Sequence, residues 1–187
     1  MDKETEMKKL EQGVNDCKLC SLYETRNNPV IGEGSLDVKI LFIGEGPGYW
    51  EDMKGRPFVG RSGKVLDELL ESIGLKREDV YIANIVKCRP PENRNPMTEE
   101  IKACTPFLDL QIEIIQPKII ATLGNFATSF IFEKFGLEKK SISTVHGKVF
   151  DMGSVKIIPL FHPAVAVYNS NRKGELMEDF KNLRSNE

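Results

Sequence analysis

Apolar residues gather in four short runs along the chain: Val38-Lys39-Ile40-Leu41-Phe42-Ile43, Val80-Tyr81-Ile82-Ala83, Lys118-Ile119-Ile120-Ala121-Thr122 and Val155-Lys156-Ile157-Ile158-Pro159-Leu160. Runs of this length, rich in β-branched side chains, predict strands buried on both faces. Between them the spacing turns helical, and Lys64–Ile73 places Val65, Leu66, Leu69, Leu70 and Ile73 on one face. Thr98-Glu99-Glu100-Ile101 opens a second helix with a good N-cap, and Pro117 ends it. A third helix is expected over 124–135. Strands alternating with helices predict an α/β fold, a parallel sheet covered by helices on both faces. Ligands of such sheets bind in the crevice at the carboxyl ends of the strands, which is where chemistry is to be sought.

With 187 residues, the chain suffices for one α/β domain with a substantial core, and 1–187 is expected to be that domain. Its 40% apolar and 29% charged residues are those of an ordinary soluble protein. No apolar run approaches bilayer-spanning length, and Met1-Asp2-Lys3-Glu4-Thr5-Glu6 lacks the order of a secretory signal, so an intracellular location is expected. A net charge of −2 gives no support to nucleic-acid binding, although phosphate contacts need only a local basic stripe. Lys54, Arg56, Arg61 and Lys64 form one candidate stripe, and Lys87, Arg89 and Arg94 a second. On composition alone both are better taken as solvated surface charge.

Four cysteines alter that picture. Cys17 and Cys20 form a C-x-x-C pair, and Cys88 and Cys104 follow at long range. Intracellular chains rarely spend four cysteines on disulfides, so metal or cluster ligation leads over a mixture of buried thiols. Zinc and an iron–sulfur cluster both accept four thiolates, and the spacing does not choose between them.

Three loops are expected to open onto one edge of the sheet. After the first strand comes Gly44-Glu45-Gly46-Pro47-Gly48, which matches neither a dinucleotide fingerprint nor a P-loop. Its glycines allow close backbone approach to a ligand, and Glu45 adds a carboxylate where a substrate would lie. The loop continues through Gly55-Arg56-Pro57-Phe58-Val59-Gly60-Arg61-Ser62-Gly63-Lys64. An aromatic among glycines and arginines suits base stacking beside phosphates, yet Phe58 taken singly is better read as a core residue. The second strand leads to Asn84, whose amide can address a base edge. The last strand leads to Phe161-His162-Pro163-Ala164, while the other histidine, His146, is read as structural.

In order along the chain, the C-x-x-C pair, Gly44–Gly48, Gly55–Gly63, Asn84-Ile85-Val86-Lys87-Cys88-Arg89-Pro90-Pro91, Cys104 and His162-Pro163-Ala164 closely resemble the family 4 uracil-DNA glycosylases. The resemblance covers about Cys17 to Asn171. It implies a single domain with a central four-stranded parallel sheet flanked by helices, and a 4Fe–4S cluster on Cys17, Cys20, Cys88 and Cys104. It further implies a uracil pocket lined by Gly44, Glu45, Gly46, Phe58, Asn84 and His162, with Glu45 and His162 catalytic. Glu51 matches a family carboxylate expected to help exclude the thymine methyl. Glu45 favours family 4 over a relative with an apolar residue there. The segment Pro90-Pro91-Glu92-Asn93-Arg94-Asn95-Pro96 lacks the histidine of another relative that bonds covalently to DNA. Which residue of Val165-Ala166-Val167-Tyr168-Asn169 fills the gap left by a flipped base stays open.

The expected activity is hydrolysis of the N-glycosidic bond of uracil in single- or double-stranded DNA, leaving an abasic site for base excision repair. A monomer is expected. The alternatives are a non-catalytic glycosylase-like DNA-binding domain associated with replication, a zinc hydrolase and a ferredoxin-like carrier. No G-x-S-x-G or H-E-x-x-H motif supports the hydrolase.

Overall fold

A computed structural model describes residues 2–187. In chain order it contains α1 (Lys3–Asn15), β1 (Glu33–Gly34), β2 (Ile40–Gly44), α2 (Tyr49–Lys54), α3 (Arg61–Ser72), β3 (Tyr81–Asn84) and α4 (Thr98–Ile115). There follow β4 (Ile119–Leu123), α5 (Asn125–Lys134), α6 (Ile142–Val145), β5 (Phe150–Asp151), β6 (Lys156–Leu160), α7 (Ala164–Tyr168) and α8 (Lys173–Asn186). No helix of the described residues is long and apolar enough to cross a membrane.

The four predicted strands are β2, β3, β4 and β6, and they run parallel. The sheet does not stop at four, however. Its order is β1-β3-β2-β4-β6-β5, and the short edge strands β1 and β5 are antiparallel to their neighbours. The expected four-stranded parallel sheet is therefore the centre of a mixed six-stranded one. Neither Glu33-Gly34 nor Phe150-Asp151 carries an apolar alternation to betray it. β1 depends on Gly34, since a Cβ there would lie 2.0 Å from the Val80 carbonyl oxygen.

Strand alternation divides the core between two faces. Leu41 and Ile43 of β2 pack with Met7, Leu10 and Val14 of α1, Leu108 and Ile115 of α4, and Ile131 and Phe132 of α5. Ile40 and Phe42 point the other way, to Leu66, Leu69 and Leu70 of α3, Ala166 of α7, and Leu176, Phe180 and Leu183 of α8. Helices thus cover both faces, as expected, although α1 and α8 were not foreseen. α4 begins at Thr98, but its N-terminus is closed by Glu100, whose carboxylate accepts the Met97 N–H at 2.8 Å. The Thr98 hydroxyl is not the cap.

From β2 the chain passes to one side for β3 and then to the other for β4, so the strand order reverses at β2. This places Gly44 and Glu45 at the switch point, where a crevice opens between diverging loops. The ring of Phe180, fully buried, stacks 5.8 Å from that of Phe42 and fastens α8 beneath this strand. Phe180→Ala is expected to cost about 3–5 kcal/mol, read as a lower urea midpoint at unchanged m-value.

Candidate active site

Gly44 is paired with Asn84 across β2 and β3. A Cβ on Gly44 would lie 2.5 Å from Asn84 Oδ1 and 3.0 Å from the Phe58 ring, so both side chains converge on the space that glycine leaves open. Phe58 in turn stacks on His162, ring centroids 5.6 Å apart and planes inclined by 30°. Gly124, at the end of β4, completes the wall, because a Cβ there would meet His162 Cβ at 3.2 Å. The carboxyl ends of all four parallel strands therefore come together around Phe58 and His162. Among the described residues, Asn84 Oδ1 is the buried side-chain oxygen or nitrogen left with no hydrogen-bond partner.

His162 and Glu45 both line this crevice, which continues past Gly46, Pro47, Gly48, Glu51 and Ser62 on one side. Burial pushes the His162 imidazole down to about 4, against the opposing pull of the Glu51 carboxylate. The ring is thus neutral near pH 7. Its Nδ1 lies 3.1 Å from the Ala164 backbone N–H and accepts from it, leaving the proton on Nε2. Burial also raises the Glu45 carboxyl above its ordinary range.

The Phe58 loop is held from several sides. Glu51 Oε1 accepts the backbone N–H groups of Val59 and Gly60, both at 3.1 Å. Arg77 donates to the Pro57 carbonyl at 2.9 Å and to the Phe58 carbonyl, while Asp67 and Glu33 anchor its guanidinium. Gly63 lies so close that a Cβ there would reach 1.9 Å from the Phe58 carbonyl oxygen. These contacts keep Phe58 at a positive φ of 50°. Below the loop, buried Asp52 accepts from the Asn27 backbone N–H at 2.8 Å and from its side-chain amide at 2.6 Å.

A second site lies behind Asn84. Cys17, Cys20, Cys88 and Cys104 line one small cavity walled by Val14, Leu22, Tyr23, Ala103 and Phe107. Arg26 donates to Cys88 Sγ at 3.1 Å, and the Lys87 backbone N–H donates to Cys104 Sγ at 3.2 Å. Burial pushes the Cys104 thiol up to about 11 and raises Cys20 and Cys88 as well. None of these three is a ready nucleophile. No group of three or more His, Cys, Asp or Glu side chains among the described residues is drawn together as a metal-ion site.

A family model described as the uracil DNA glycosylase superfamily matches residues 31–183. The chain is 48% identical over 183 residues to the type-4 uracil-DNA glycosylase of Sulfurisphaera tokodaii, covering 95% of this chain and 83% of that one. It is 48% identical over 184 residues to that of Thermotoga maritima, covering 96% and 93%. With the Archaeoglobus fulgidus enzyme it shares 47% over 174 residues, covering 91% and 87%. The chain belongs to the type-4 uracil-DNA glycosylase family.

In this member of the type-4 glycosylase family, the fold brings several residues singled out in the sequence near one another and places others differently than expected. Asn84 and Phe58 close on Gly44, Phe58 stacks on His162, Glu45, Gly46 and His162 line the adjoining crevice, and the four cysteines line one cavity. The second basic stripe fails. Lys87 is 0% exposed, its ammonium donating to the Asn84 carbonyl at 2.8 Å and to Gln111 Oε1 at 2.5 Å. Arg94 and Arg89 are both half-buried, Arg94 held by the Glu100 carboxylate at 2.7 Å and Arg89 bonded to Asn93 Oδ1 at 2.7 Å. Gly124 was legible as a glycine between a strand and a helix. Arg77 had no local signal, since its partners lie ten to forty-four residues away. His146 is structural, its Nδ1 2.7 Å from Asp179 Oδ2 on α8.

The lowered His162 value has a consequence for stability. The unfolded imidazole takes up a proton near 6.5 and the folded one only near 4, so acid favours the unfolded chain. This contribution is intact above about pH 6.5 and is lost as pH falls toward 4. Urea titrations across that window are expected to show a shallower acid decline in His162→Asn than in the parent.

Proposed function

We propose that the protein excises uracil from DNA, flipping the nucleotide into the crevice at Gly44 and hydrolysing its N-glycosidic bond. Extrusion is required because the bond is inaccessible inside a duplex. The observation that carries this reading is the unpartnered Asn84 Oδ1, buried beside the Phe58 ring. It accepts uracil N3–H, while the amide nitrogen donates to O4. Cytosine presents the reverse pattern there, and mismatched buried polar groups cost about 1–3 kcal/mol each. Phe58 stacks on the base, held in place by Glu51 and Arg77. The contacts of Glu51 make it first a brace of this loop, with any part in excluding the thymine methyl exerted from the crevice wall.

As the bond breaks, negative charge gathers on the uracil at O2. The neutral His162, with its proton on Nε2, donates a hydrogen bond to that oxygen. Glu45 orients and deprotonates the attacking water and stabilises the positive sugar, and its raised pKa makes it a better base. Exposed Lys54, Arg61 and Lys64 hold phosphates, which positions the strand without reading it. Tyr168, 88% exposed at the end of α7, fills the gap in the duplex, since Ala166 is buried, Val165 and Val167 are half-buried, and the smaller Asn169 is engaged by the Asn171 N–H.

The four-sulfur cavity fits a 4Fe–4S cluster on Cys17, Cys20, Cys88 and Cys104. The donor set is right, the walls are apolar, and N–H donors already address two of the sulfurs. When bound, the cluster supplies cross-links between the N-terminal segment, the loop after β3 and α4. The whole chain then acts as one domain.

The test is uracil release from DNA carrying uracil opposite guanine, opposite adenine and in a single strand. Release that leaves an abasic site is expected, and release from none of the three overturns the proposal in favour of a binding domain. Glu45→Ala is expected to lose about 10²–10⁴-fold in rate and His162→Ala about 10²–10³-fold, each with full iron content. Unimpaired excision by either variant removes its assigned role. Gly44→Ala, which thrusts a methyl between Asn84 and Phe58, is expected to lose at least about tenfold in kcat/KM while its circular dichroism is unchanged.

A further inference from the structure

The uracil pocket uses only one side of α2. Glu51 and Asp52 turn inward, to the backbone of Val59 and Gly60 and to Asn27. The opposite side presents Tyr49, Trp50 and Met53, which are 48, 56 and 47% exposed, followed by exposed Lys54. Three large apolar side chains on one short exposed face are unusual enough to mark a contact surface.

Several details say what the contact is. Tyr49 and Trp50 meet edge to face, centroids 5.0 Å apart at 87°, so their outer ring surfaces are not spent on each other. The Arg89 guanidinium lies 5.3 Å over the Tyr49 ring, and its Nε donates to Asn93 Oδ1 at 2.7 Å. Trp50 Cδ1 lies 3.7 Å from where a Gly60 Cβ would stand. The face therefore spans the two loops that bracket the crevice, whose rim includes Gly48, Glu51, Pro90 and Asn93. Exposed Arg61 and Lys64 open the next helix. Aromatic faces among cations match a strand of bases and phosphates, and a base–aromatic stack tolerates any base.

We propose that Tyr49, Trp50 and Met53 form a stacking subsite for unpaired nucleobases next to the uracil in single-stranded DNA. The subsite deepens the glycosylase reading and rests on it. Bases within a duplex have their faces covered by neighbours, so only a single strand can use the subsite fully.

The chain has one tryptophan, so the intrinsic emission of Trp50 reports the subsite directly. The cluster-containing full chain is titrated with uracil-free oligothymidylate and with a duplex of equal length, binding being followed separately by the anisotropy of labelled DNA. Strong quenching at saturation by the single strand and weak quenching by the duplex are expected. Trp50→Ala is expected to raise KM for single-stranded uracil DNA about tenfold, the loss of one stack, with little change in kcat. Trp50→Phe should recover most of it, and KM for duplex uracil DNA should change less than about twofold. Saturating single-strand binding without quenching, or an equal KM change on both substrates, overturns the subsite. Excision without quenching removes the subsite and leaves the glycosylase reading standing. Quenching without excision removes the glycosylase reading, and with it the subsite's place beside a uracil, leaving Trp50 only as a contact for single strands.

Discussion

At the end of β2 the Gly44 Cα carries a hydrogen where any other residue would carry a carbon, and the Asn84 amide and Phe58 ring close on that space. The parallel register that sets Gly44 opposite Asn84 decides how near the amide comes. The reversal of strand order at β2 decides that loops diverge there rather than cover it. Everything else at the site is support for this small opening. Glu51, Arg77 and Gly63 hold the Phe58 loop down, and Gly124 lets His162 approach from the far strand.

Electrostatics at the crevice follow from the same packing. Removing water lowers the affinity of His162 for a proton and raises that of Glu45. Both shifts move the groups toward being uncharged, yet on the proposed mechanism they serve opposite ends of one reaction, a neutral donor for a developing anion and a stronger base for water. The Ala164 N–H on Nδ1 adds what burial cannot, a choice of tautomer. Because Pro163 has no N–H of its own, the donor comes from one residue further along.

How far the sequence revealed the fold depended on where the signal was stored. β2, β3, β4 and β6 were legible because both faces of each are buried, which forces continuous apolar runs, and their bounds came within two residues. β1 and β5 were not, because two residues exchanging hydrogen bonds at an edge need no apolar side chain at all. α1 carried a signal that went unread, Asp2 accepting the Thr5 N–H at 2.9 Å ahead of Met7, Leu10 and Val14. At the site, Glu45, Asn84 and His162 stood out because strand ends are where ligands bind. Lys87 misled because its charge argues for the surface, whereas two buried acceptors hold it inside. Arg77 was invisible because its function exists only once the chain has closed on it.

The positive φ of Phe58 limits how this position can drift. A left-handed backbone costs an L residue about 1–2 kcal/mol and excludes β-branched side chains almost entirely. Glycine or asparagine would fit the turn with less strain but would discard the ring. Valine or isoleucine would lose the ring and fight the turn as well. Single-step evolution at position 58 is thus hemmed in from both sides, and a lineage that gave up the aromatic here would have to rebuild the loop around it.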